Sequence, residues 1–272
     1  MMSIRGLIAL TCSAMLLVGC AQDEKQTITV SGSSTIAPLM AEIGKRFEVQ
    51  HPGVHVDVQS GGSSRGIQDV RSGLASIGMV SRALNPDEGD LKPFIIARDG
   101  IALIVHASNP LTSIKSEQVV GLYTGQLSNW QAVGGNPGQV VKVHKAEGRS
   151  TLELFLKHFH LDNAAVQADL VIGENQQGIK SVAGNPLAIG YVSIGTAEYE
   201  ARQGAPIKLL ALDGQAASTE ALLAGSYPLS RDLNLVVRGQ PDANVRALLA
   251  FAQSREVADL VEQYAFVPAP RS

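Results

Sequence analysis

Three short segments of the chain set a glycine beside side-chain hydroxyls immediately ahead of a helical pattern. They are Gly32-Ser33-Ser34-Thr35, Gly61-Gly62-Ser63-Ser64 and Gly148-Arg149-Ser150-Thr151. A β-rich run precedes each: Ile28–Ser31, Val54–Ser60 and Val140–His144. The first turn of a helix carries unpaired N–H groups and a partial positive charge, which suits an oxyanion. Serine and threonine hydroxyls add donors without adding charge, and glycine lets the backbone approach closely. Taken singly, each segment reads as an ordinary cap, because these residues are preferred at helix starts. Three of them at the carboxyl ends of strands, where α/β sheets form their ligand crevice, point instead to an anion site. Arg65, Arg82 and Arg149 lie close to the same loops. Guanidinium is the usual bidentate partner of phosphate-like groups, although each of the three also reads as a surface charge, Arg65 most readily.

These loops need elements to hold them, and the patterning supplies strands and helices in alternation. Ile36–Gln50, Gly66–Ser72, Leu152–His158 and Gln176–Val182 carry helical spacing. Val54–Val58 alternates with period 2, as a half-buried strand does. Further strands are expected at Ile77–Val80, Ile101–Val105, Val140–Val143, Ala188–Val192, Ile207–Leu210 and Leu233–Val237. Two amphipathic helices, Ala243–Gln253 and Arg255–Tyr264, close the chain. Such alternation predicts an α/β fold with largely parallel sheets. Asn129–Gly138 is dense in Gly, Asn and Pro and reads as a loop. No internal repeat interrupts the pattern.

Enzymatic chemistry finds little support. The six histidines include His158-Phe159-His160, but residues i and i+2 of a helix do not share a face, so no metal site is expected. No HExxH or GxxxxGKS/T motif is present. The hydroxyl-rich helix starts have no histidine beside them, and Tyr123 and Trp130 read as packing residues. Neither an enzyme nor a cofactor is expected. Lys plus Arg total 22 against 25 Asp plus Glu, a formal charge of −3, with no basic run. That balance argues against nucleic acid, which requires an electrostatic footprint. At 272 residues and 45% hydrophobic composition the chain is long enough for one large or two small domains. Twelve aromatics, six Phe, five Tyr and one Trp, argue against a sugar-stacking cleft.

Residues 1–19 hold one positive charge, Arg5, and an apolar stretch from Leu7 to Val18. The stretch is too short to span a bilayer and fits a secretory signal. Leu17-Val18-Gly19-Cys20 resembles the bacterial lipobox, which implies cleavage before Cys20 and a lipid on that residue. The alternative is an ordinary signal with Cys20 near its cleavage point. Residues 20–26 would form a short tether, and with Cys12 removed no cysteine remains in the body. Losing Arg5 takes the charge from −3 to −4. The expected location is the periplasm or cell surface.

The hydroxyl-rich segments sit within a longer run of recognisable motifs. Thr27–Met40 (TITVSGSSTIAPLM), Ser60–Ile67 (SGGSSRGI), Ile77–Leu84 (IGMVSRAL) and Asp99–Val105 (DGIALIV) resemble the periplasmic phosphate-binding proteins of Pst-type ABC transporters. Asn109-Pro110, Gly121–Gly125, Asn129–Gly135, Ser150-Thr151 with Phe155, and Gly190-Tyr191 extend the resemblance over nearly the whole chain after the signal. It implies an α/β, two-lobed type II periplasmic-binding-protein-like fold with the ligand cleft between lobes. The first lobe would be residues 27–96 completed by 229–272, and the second 97–228. It implies capture of inorganic phosphate for the permease subunits of an ABC importer, by hinge closure, with the protein a lipid-anchored monomer. The binding residues implied are Ser33, Ser34, Thr35, Ser63, Ser81, Arg82, Arg149, Ser150 and Thr151. Three departures stand out. Ser76 occupies the position, two before the glycine of the third strand, where many relatives carry an Asp that accepts the proton of hydrogen phosphate. Arg149 stands where a neutral hydroxyl is usual, and Lys145 where an Arg is. Discrimination against sulfate would then fall to Glu147 or Asp99. The alternatives are a binder of sulfate, molybdate or tungstate, and a phosphate sensor or scavenger not coupled to transport.

Overall fold

The structure is a computed structural model that describes residues 25–269. The expected signal over residues 1–19, Cys20 and most of the tether lie outside the described residues. Strand β1 (Gln26–Gly32) leads into helix α1 (Ala37–Gln50), which buries Leu39, Met40, Ile43 and Phe47, the spacing of an amphipathic helix. Strand β2 (Val54–Ser60), helix α2 (Ser63–Ser72) and strand β3 (Ile77–Val80) follow. β1 pairs in parallel with both β2 and β3. Next comes β4 (Leu91–His106), a single strand of 16 residues.

The second half of the chain up to residue 229 builds on the far end of that strand. It comprises β5 (Ser113–Ile114), α3 (Ser116–Tyr123), β6 (Val141–Lys145), α4 (Ser150–Phe159) and β7 (Leu170–Ile172). It continues with α5 (Asn175–Ala183), β8 (Ala188–Ser193), α6 (Ile194–Arg202), β9 (Ile207–Leu209), β10 (Ala211–Leu212) and α7 (Thr219–Leu223). Strand β11 (Ser230–Arg238) then returns to the first half, followed by α8 (Ala243–Ala252), α9 (Ala258–Gln263) and β12 (Val267–Pro268). The strand order is β2-β1-β3-β11-β4-β8-β6-β7.

Two lobes share β4. Its residues Leu91–Gly100 pair antiparallel with β11, and Ile101–Val105 pair antiparallel with β8, so the change of partner falls between Gly100 and Ile101. The expectation of largely parallel sheets holds for the flanks, β1 with β2 and β3 and β6 with β7 and β8, and fails in the middle. The reason is topological. β4 carries the chain out of the first lobe and β11 brings it back alongside, so the two must run in opposite senses. Each lobe has its own cores on the two faces of its sheet. Ile28, Val30, Phe47, Leu235 and Leu248 belong to the largest cluster of the first, and Leu103, Tyr123, Trp130, Phe155 and Tyr191 to that of the second. The final expected helix, Arg255–Tyr264, is broken: Ser254 accepts the Glu256 N–H and caps a 3₁₀ turn at Arg255–Val257 before α9 begins. Trp130 and Tyr123 are packing residues, fully buried, their polar ends bonded to the carbonyls of Leu187 and Val143.

Candidate functional site

All three hydroxyl-bearing segments lie between a strand and a helix, as expected. Ser33 Oγ accepts the Thr35 N–H and donates to Ser81 Oγ at 2.9 Å. Ser63, the first residue of α2, accepts the Ser81 N–H at 3.2 Å. Ser33, Ser63 and Ser81 therefore form one buried knot at the carboxyl ends of β1, β2 and β3, with Ser34 beside it half-buried. From the second lobe, Ser150 and Thr151 open α4, both buried. The Ser150 hydroxyl has no hydrogen-bond partner. A buried polar atom left unpaired costs free energy, which marks this one as awaiting an acceptor.

The groups that bring the two lobes together were not legible in the sequence. Arg231 on β11 donates to Asp99 of β4 at 2.9 Å, to Thr35 Oγ1 at 3.1 Å and to Thr151 Oγ1 at 3.0 Å. It thereby ties the strand crossing to the first loop of one lobe and the α4 start of the other. Asn175, first residue of α5, donates across the boundary to Thr35 Oγ1 at 3.0 Å. Its Oδ1 accepts from Lys145 Nζ at 2.9 Å. Lys145 ends β6 and is 2% exposed. Burial lowers its pKa from 10.5 to about 7; Glu174 pulls the other way, and Arg231 and Arg149 add to the lowering. Beneath it, Tyr191 accepts the Lys145 N–H and stacks on Phe155 at 3.9 Å, so the aromatic core fixes both Lys145 and α4.

The arginines divide. Arg82, expected at the anion, lies instead between two carboxylates: Glu88 takes it in a fork at 2.7 Å per arm, and Glu153 of α4 sits 2.6 Å from its Nε. Its charge is already neutralised. The same pairing, with the Asn85 N–H, holds the Glu88 carboxyl below its ordinary range although burial alone would raise it. Arg82 lines a groove of about 760 Å³ together with Arg98, Lys157 and Asp232, on the side where the strands cross. Arg65 pairs with Asp69 on its own helix and is exposed. Arg149 caps α4 and pairs with Glu174 at 2.7 Å, while Ser60 of the first lobe reaches the other oxygen of Glu174 at 2.6 Å.

Gly62 is a place where the backbones of the lobes pass close together. Its φ is +98°, and a Cβ there would meet the Gly148 carbonyl oxygen and the Arg149 Cδ at 2.7 Å. Two expectations about discrimination need correction. Ser76 is exposed at the amino end of β3, with Ser81 five residues on at the other end, about 16 Å of extended chain away. An Asp at 76 would face away from the hydroxyls; Ser81 is the residue of this segment that meets them. Glu147 is exposed and bonded to Asn163, and Asp99 is occupied by Arg231 and the Gly195 N–H.

What the arrangement can do is bind an oxyanion: hydroxyls, helix starts and cations converge with every neighbouring carboxylate already engaged. Comparison with known proteins agrees with this geometry. A family model described as the PBP superfamily domain matches residues 20–256. Among curated proteins, a phosphate-binding protein PstS of Bacillus subtilis is 24% identical over 247 residues, covering 89% of this chain and 80% of its own. Among solved structures, a phosphate ABC transporter substrate-binding protein from Clostridium perfringens, solved with bound phosphate, superposes with a TM-score of 0.84 at 28% identity, over 90% of this chain and all of the other. An ABC-type phosphate transport receptor from Vibrio cholerae gives 0.73 at 29%, over 89% and 100%. With two lobes sharing crossing strands and the family match spanning most of its length, this chain belongs to the PBP superfamily.

Proposed function

We propose that the chain captures inorganic phosphate outside the cytoplasm and delivers it to an ABC permease, with no chemistry on the ligand. One observation carries the reading: hydroxyl-bearing helix starts from both lobes meet around the buried cations Lys145 and Arg231, and one of those hydroxyls, on Ser150, is unpaired. Ser34, Thr35, Ser63 and Ser81 contribute from the first lobe, and Arg149, Ser150 and Thr151 from the second. Ser33 shapes the first loop, and Arg82 links its own segment to Glu153 of α4. Hinge closure across the β4 and β11 crossings replaces the anion's water by N–H and O–H donors that are already in place. The names of the relatives support phosphate as the ligand and an ABC importer as the destination. No helix among the described residues is long and apolar enough to cross a membrane, and the proposed attachment is a lipid on Cys20, with the protein a monomer. Mass spectrometry of the mature amino terminus tests the lipid.

A second reading, sulfate, is favoured by one feature: no free carboxylate among the described residues faces the hydroxyls to accept the proton of hydrogen phosphate. Calorimetric titration of refolded, ligand-stripped protein separates the two. Tight phosphate binding that sulfate does not displace is the expected result. Equal competition by sulfate moves the ligand class, and no heat with either anion refutes the site.

A further inference from the structure

The cations around the hydroxyl cluster outnumber their carboxylates. Arg231 is matched by Asp99 and Arg149 by Glu174, leaving Lys145 without an ion-pair partner among the described residues. Its ammonium has three N–H donors and a single hydrogen-bond acceptor, Asn175 Oδ1. That acceptor is itself held across the lobe boundary by Thr35. The groups facing Lys145 are Glu174 from the α5 start, Arg231 from β11 and Arg149 from the α4 start. Two of the three are positive.

We propose that the uncompensated ammonium of Lys145 is an occupancy gate, opposing closure of the lobes over an empty cleft until a bound anion supplies the missing charge. The proposal rests on the closure reading given above. With the lobes apart the ammonium regains water; with them closed and empty it is buried among like charges, a state that favours its neutral form. The fall from 10.5 to about 7 means that at neutral pH a charged lysine disfavours empty closure on the order of a thousandfold. The anion reverses the balance at the place where two donors stand free. An arginine here would stay charged at any working pH, whereas a lysine yields its proton in alkali. The gate therefore weakens as pH rises, the closed-to-open ratio of the empty protein gaining about a hundredfold between pH 7 and 9.5.

The test is small-angle X-ray scattering of the purified, ligand-stripped protein at both pH values, with the phosphate-loaded protein as the closed reference. The wild type is expected to be extended at pH 7 and to contract at pH 9.5. Lys145→Met is expected to be contracted at both, and Lys145→Arg extended at both. An empty Lys145→Met protein as extended as wild type at pH 7 overturns the proposal. So does a wild type whose dimension does not change with pH, an arm that needs no variant to fold. Loss of the phosphate reading is seen separately, as absent heat on titration of the wild type, while the empty-state comparison still decides the gate.

Discussion

Replacing Arg231 by methionine tests the central assignment most directly. The substitution leaves Asp99, 0% exposed, with one oxygen still accepting from the Gly195 N–H and the other facing nothing. Removing one member of a buried ion pair costs about 3–5 kcal/mol, mostly because the remaining charge is stranded. Two further bonds disappear, to Thr35 and Thr151, each worth about 0.5–1.5 kcal/mol when both partners are buried. The stranded charge should dominate, so Arg231→Met combined with Asp99→Asn, which keeps an acceptor for Gly195, should recover about half the loss. Urea unfolding of the empty proteins at pH 7 measures the stability change, and phosphate titration of the same samples measures affinity. We expect the single variant to lose about 3–5 kcal/mol of stability and at least tenfold in affinity, and the double variant to regain stability without regaining affinity. A single variant that loses less than about 1 kcal/mol, or a double variant no more stable than the single, refutes the claim that this pair anchors the crossing of the lobes.

Four other substitutions have distinct signatures. Ser150→Ala removes a buried hydroxyl that has no partner, so the empty protein should be as stable or more so while phosphate affinity falls about tenfold, as calorimetry and thermal unfolding together would show. Gly62→Ala places a methyl group 2.7 Å from the facing carbonyl at a φ of +98°, and should weaken binding by about 1–3 kcal/mol while circular dichroism stays unchanged. Glu88→Gln removes a carboxylate whose pKa is lowered in the folded state; such a group stabilises above its ordinary value of 4.5 and loses that contribution as pH falls through the lowered one. The variant should therefore be less stable at pH 7 and show a flatter acid limb below pH 4.5 in unfolding experiments. Ser81→Asp introduces an acceptor beside Ser33 and Ser63, so competition titrations should show phosphate increasingly preferred over sulfate.

The helix starts were legible because their signals are local. A β-branched run, a glycine and a capping hydroxyl fall within a few residues, and the backbone must turn there whatever surrounds it. Ser63, Ser150 and Thr151 fall in the first turn of their helices, while the N-cap positions themselves are Gly62 and Arg149 and carry no side-chain cap bond, which leaves the hydroxyls for other partners. Arg231 and Asn175 carry no such signal. Arg231 lies in Ser230-Arg231-Asp232, which reads as the solvated end of a strand, and its partners Thr35, Asp99 and Thr151 are 196, 132 and 80 residues away. Asn175 begins a helix after Gly173-Glu174, with a glycine but no side-chain hydroxyl before it. Arg82 lies near the hydroxyl-bearing loops in sequence and matches an Arg of the family pattern, whereas its fork onto Glu88, six residues on, carries no signal that distinguishes it from a ligand contact. The first part of β4 was missed because Lys92, Pro93, Arg98 and Asp99 break its alternation, and only pairing with a distant strand makes it regular.

The place of β11 also dictates the order in which the molecule can be completed. β3 and β4 are neighbours in sequence but not in the sheet; the slot between them is filled by β11, which begins 150 positions after Val80. As the chain emerges from a ribosome or any pore, β1, β2 and β3 are available early, yet β3 keeps an open edge until almost the whole polypeptide has followed. Such an edge, with Ile77, Met79 and Val80 fully buried in the finished protein, is a template for pairing with another unfinished copy. Closing it requires bringing together segments far apart along the chain, which is intrinsically slow. The interval before β11 arrives is thus when the nascent chain is most exposed to aggregation, and truncation anywhere before Ser230 should leave a product that is insoluble rather than merely inactive.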